Sequence, residues 1–121
     1  MSKFTNDIDK FFTKYKIGYK GGPRNLKYEI STARYRHQLE ETHELGEAFN
    51  KNDKEGVLDA LVDIVYIALG TAHLMGFDFD EAWKRVHKAN MKKVRMKTER
   101  SPIDIVKPIG WKSPDLKDLC K

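Results

Sequence analysis

Two short stretches hold carboxylates spaced so that they could be brought into one site. In RHQLEETHELGEAF, Arg36 to Phe49, the acids Glu41 and Glu44 are three apart and share one face of a helix, with Glu40 and Glu47 flanking them. In DALVDIVYIALG, Asp59 to Gly70, two aspartates four apart interrupt an otherwise apolar segment. On a helix, Asp59, Asp63, Tyr66, Gly70 and His73 fall on one stripe. A lone carboxylate taken out of water turns neutral, because its ionised form loses far more solvation, and two of them one turn apart also repel. A cation relieves both costs. Four or five acids on two adjacent helices make an oxygen-rich cage, and hard oxygen donors with few nitrogen or sulfur neighbours favour Mg²⁺ or Mn²⁺ over zinc. The competing account of Asp59 and Asp63 is a buried salt bridge to Arg34 or Arg36, and the acid run on the other segment read alone is a solvated helix face.

A third stretch, VHKANMKKV from Val86 to Val94, extends an apolar line through Phe79, Trp83 and Val86 to Asn90 and Lys93. Either a helix end is leaving the core there, or Lys93 holds a phosphate and Asn90 orients a phosphate oxygen or a bound water. Trp83, Tyr66, Phe49 and Trp111 are candidates for stacking on a base, although aromatics at helical spacing are usually core.

These residues need helices to position them. Ile8, Phe11, Phe12 and Tyr15 follow the i, i+3, i+4, i+7 rule and predict an amphipathic helix up to about Gly18, broken by Gly21, Gly22 and Pro23. A second helix is predicted from about Glu29 to Phe49. Asn52 with Glu55 reads as the start of a third, which ends at Gly76, and Asp78 with Glu81 as the start of a fourth. The third is apolar nearly all round, the mark of a central, buried helix. Beyond Arg100, Pro102, Pro108 and Pro114 exclude a continuous helix, so residues 101–121 read as an extended tail packed on a helical body of about residues 4–97. No strand-like alternation with hairpin turns appears, and the class is all-α, one domain over residues 1–121.

Composition is that of a soluble globular protein, 40% apolar and 34% charged. Lys and Arg outnumber Asp and Glu by 23 to 18, and the excess is concentrated between Lys84 and Arg100, which suits a phosphate-bearing partner or a solvated helix face. Cys120 is the only cysteine, which excludes an internal disulfide and a Cys-based zinc site and makes a cytoplasmic location the default. The apolar run from Val57 to Phe77 contains Asp59, Asp63 and His73, which argues against a membrane span.

An EExxE segment followed by an acidic pair on the next helix resembles the all-α nucleoside triphosphate pyrophosphohydrolase superfamily, which includes MazG-like proteins, dimeric dUTPases and phosphoribosyl-ATP pyrophosphohydrolases. The resemblance covers about Tyr28 to Lys97 and rests on EETHE, DALVDIVYIALGTAHLMG and VHKANMKK. Within it, the tail KPIGWKSPDL looks like that of small stand-alone phage or bacterial members. It implies a four- to five-helix, bundle-like MazG-type fold and Mg²⁺-dependent cleavage of a (deoxy)nucleoside triphosphate between its α and β phosphates. Metal ligands carry over to Glu41, Glu44 and Asp63, while the glutamate of the family's ExxD is Ala60 here, with Asp59 in its stead. Glu40 or Glu41 is the implied acceptor of the water's proton, Asn90 and Lys93 the implied phosphate contacts, and Tyr66 and Trp83 candidate contacts to the base. A homodimer or homotetramer is the expected assembly, in the cytoplasm or in a host's cytoplasm for a phage protein, with no membrane and no nucleic-acid partner. A basic nucleic-acid-binding module and a catalytically silent protein of the same fold are the alternatives.

Overall fold

The computed structural model describes residues 1–121, and the elements follow from local signals at their ends. Helix α1, Lys3–Tyr15, starts at Ser2, whose hydroxyl accepts the Thr5 amide at 3.3 Å, and stops where Lys16 turns left-handed at φ 59°, two residues before Gly18. Helix α2, Tyr28–Asn50, and helix α3, Lys54–Leu74, are joined by a tight turn, so they run antiparallel. The cap of α3 is Asp53 and not Asn52: the Asp53 carboxylate accepts the Gly56 amide at 3.0 Å, while Asn52 takes the left-handed conformation the turn requires. Helix α4, Phe79–Asn90, begins as its sequence predicts, with the Glu81 amide donating to Asp78 at 3.1 Å.

The small core lies where α1 crosses α3. Ile8, Phe12 and Leu69 are its buried members, with Leu74 and Phe79 packed against them. The connection from α1 to α2 is tied to the end of α3 by the Arg24 amide and guanidinium, which donate to the Met75 and Leu74 carbonyls, while the guanidinium lies 3.6 Å over the Tyr19 ring. His73 stacks on Phe12 and accepts the Tyr19 amide at 3.2 Å. Gly70 is a place where only hydrogen fits, since a Cβ would lie 2.6 Å from Arg34 Nη2 and 3.1 Å from the Phe12 ring.

Two expectations are corrected. The first is the absence of strands: β1, Val94–Met96, pairs antiparallel with β2, Asp104–Val106, with Arg95 opposite Ile105, so the helical body ends at Asn90 and not near residue 97. Strands of three residues leave no alternation to read. The hairpin is instead held by side chains at its turn, where Asp104 accepts from Thr98 at 2.6 Å and from Arg100 at 2.6 and 3.1 Å. The second correction concerns α3, which is not buried all round. Ala60, Ile67, Leu69, Gly70 and Ala72 are covered, but Leu58, Leu61, Val62 and Val65 are 45 to 65% exposed. Helix α3 has the length and mean hydropathy, 1.6, of a membrane-crossing helix, yet in this chain one side packs on α1 and α2 and the other is open.

Candidate active site

The turn between α2 and α3 sets Glu41 and Glu44 across from Asp63, and Glu41 is the centre of the group. Its side chain is 13% exposed, its Oε1 is 3.7 Å from His37 Nε2, and its Oε2 is buried without a hydrogen-bond partner. Loss of solvation raises its pKa above the usual carboxylate value, assisted by contact with Glu44 and by the charges of Glu44 and Asp63, with His37 opposing. A carboxylate contact of that kind needs either a shared proton or a shared cation. Asp63 is half-buried, whereas Glu40, Glu44 and Asp59 are exposed.

The salt-bridge account of the aspartates does not hold. Arg34 donates instead to Thr71 Oγ1 at 3.0 Å and to the Ile67 carbonyl at 2.7 Å, and burial lowers its pKa. Arg36 is exposed and makes no ion pair. Asp59 and Asp63 thus have no protein cation, which leaves them free for an external one.

The donors suit a divalent ion, because the group offers hard oxygens and one of them is orphaned away from water. The shell is not closed: no three acids or histidines are arranged to hold an ion as they stand. Ala60 explains part of this. It is 2% exposed, pressed into the helix seam, so a glutamate there would have entered the core. Asp59, one position away, points to solvent.

Tyr66 lies one turn beyond Asp63 and meets Phe11 edge-on, with ring centres 5.2 Å apart, and Phe11 in turn meets Tyr15 at 5.1 Å. These three partly exposed rings form an aromatic wall beside the acids. The α1 stripe shows Phe11 and Tyr15 as a pair but not that the stripe divides, with Ile8 and Phe12 buried and the other two left exposed. The remaining candidates are not brought in. Trp83 is 64% exposed on α4 and stacks near Phe79, Asn90 is exposed at the α4 end, and Lys93 lies over Trp111 in the tail. No hydrogen bond or ion pair joins either Asn90 or Lys93 to the acids within this chain.

The fold is all-α, with acids facing one another across two paired helices. A family model described as phosphoribosyl-ATP pyrophosphohydrolase matches residues 22–90, more than half of the chain and all of α2, α3 and α4. The chain belongs to this family, within the MazG-like nucleoside triphosphate pyrophosphohydrolase superfamily. It is therefore a pyrophosphohydrolase, a hydrolase acting on phosphoric anhydrides, of a kind that typically depends on a divalent metal. No curated protein matches the chain.

Proposed function

We propose that the protein cleaves a (deoxy)nucleoside triphosphate between its α and β phosphates, releasing a monophosphate and pyrophosphate, with Mg²⁺ or Mn²⁺ held by Glu41, Glu44, Asp63 and, more peripherally, Asp59. The observation that carries this reading is the unpartnered, buried Glu41 Oε2 beside two further acids, with the His37 imidazole its only basic neighbour. A divalent ion bound there supplies charge neutralisation for the phosphates and lowers the pKa of a nearby water. Glu41 or Glu40, on the same turn, is the group to take the proton from that water. Tyr66, backed by Phe11, offers a face to the base.

The assembly we propose is a homodimer or a pair of them. Asn90, Lys93 and Trp83 lie apart from the acids of their own chain, and a partner copy is what brings such residues to a site. The open apolar stripe on α3 is the surface such a copy would cover. Pyrophosphate release, measured across the ribo- and deoxyribonucleoside triphosphates with Mg²⁺, tests the activity. Release from at least one of them that disappears in Asp63→Asn supports it, and no release from any overturns it.

A further inference from the structure

The family match ends at residue 90, and the residues beyond it form a short hairpin and a tail that lies against α4. The tail folds back on α4 through defined bonds. Trp111 Nε1 donates to the Ala89 carbonyl at 2.7 Å, and Arg85 donates to the Asp115 carbonyl at 3.0 Å and to both oxygens of Asp118 at 2.6 and 3.0 Å. Between helix and tail lies a cleft of about 510 Å³ whose lining includes Lys88, Lys92, Trp111 and Lys112. Lys93 and Lys107 each hold an ammonium 5.1 Å from the centre of the Trp111 ring.

None of these five lysines has a carboxylate within 4 Å. The acids nearby are already engaged. Glu81 and Asp118 pair with Arg85, and Asp115, the one acid in the lining, accepts the Lys117 amide at 3.0 Å. Three of these lysines, Lys88, Lys92 and Lys112, line one concavity, and an anion bound there would relieve their mutual repulsion. The chemistry on offer is contact with phosphates, and a cleft of about 510 Å³ has room for a short phosphate chain.

We propose that the cleft between α4 and the tail is a metal-independent binding site for a short phosphate chain, apart from the acid site of the same chain. It does not depend on the proposed reaction. The test is calorimetric titration of the full-length protein with inorganic tripolyphosphate in excess chelator, comparing wild type, Lys88→Gln/Lys112→Gln and Asp63→Asn. Wild type and Asp63→Asn should bind alike, and the double lysine variant, its fold verified by circular dichroism, should bind at least about tenfold more weakly, as expected for lost charge-assisted contacts. Absence of metal-free binding overturns the proposal, as does equal binding by the lysine variant. Binding of a thymidine oligonucleotide where tripolyphosphate does not bind overturns the assignment to a short chain.

Discussion

Glu41 carries the most chemistry of any single residue, because its environment penalises the charge that its function needs. Its pKa is raised, so its contribution to stability is present below the unfolded carboxylate value and is lost as pH rises through the folded one. The metal-free protein should consequently gain melting temperature at pH 7 on Glu41→Gln and gain little at pH 4; thermal melts in chelator at both values check this, and equal shifts would contradict it. Adding Mg²⁺ should stabilise the wild type at pH 7 and leave Glu41→Gln nearly unmoved. Asp104 has the opposite sign. Bonds from Arg100 and Thr98 hold its pKa down to about 2, so what it adds to the hairpin persists above the ordinary carboxylate range and fades as pH falls toward that value. For turnover, Asp63→Asn and Glu41→Gln should each lower kcat/KM by about a hundredfold or more, and Asp59→Asn by clearly less, since Asp59 is exposed and outside the group that shifts Glu41.

At the scale of elements, helix ends were the most legible part of the chain. The start of α4 falls where Asp78 and Glu81 place it, and the start of α3 is off by one residue because two short polar side chains, Asn52 and Asp53, compete for the cap. Asp53→Ala should cost about 1 kcal/mol, read as a lower melting temperature with the metal response intact. Gly76 is a stricter position: its φ is 72°, and a Cβ would lie 2.5 Å from the Gly22 carbonyl oxygen. Gly76→Ala should therefore destabilise by about 1–3 kcal/mol, through both the left-handed backbone and a clash with main chain that cannot swing aside. Denaturant titration measures it. The β1–β2 hairpin went unread because its pairing depends on Asp104 bridging its own turn, and a side-chain network of that kind has no periodic signature.

The whole molecule is too exposed for its size. Its accessible surface is 9745 Å², against about 6,700 Å² for a compact monomer of this mass. Part of the excess belongs to the tail, but Leu58, Leu61, Val62 and Val65 recur at i, i+3, i+4 and i+7 on one open side of α3, the spacing of a helix–helix contact. Sedimentation should show a dimer or larger species for the wild type. Leu61→Glu should shift it toward monomer and, because a partner copy is what we expect to complete the site, lower turnover with it. A wild-type monomer with full activity would remove the second copy from the mechanism.

The sequence by itself determined the helices, the acidic character of the site and the resemblance to a pyrophosphohydrolase family, because all three are written in local spacing: caps, 3.6-residue periodicity, and carboxylates that cannot be buried alone. The tertiary structure decided what depends on which side of an element meets which neighbour. It turned Arg34 away from the aspartates, pressed Ala60 into the helix seam, divided the aromatic stripe of α1 between core and surface, and bent the tail into a basic cleft. Periodicity tells which residues share a face, and only packing tells what that face looks at.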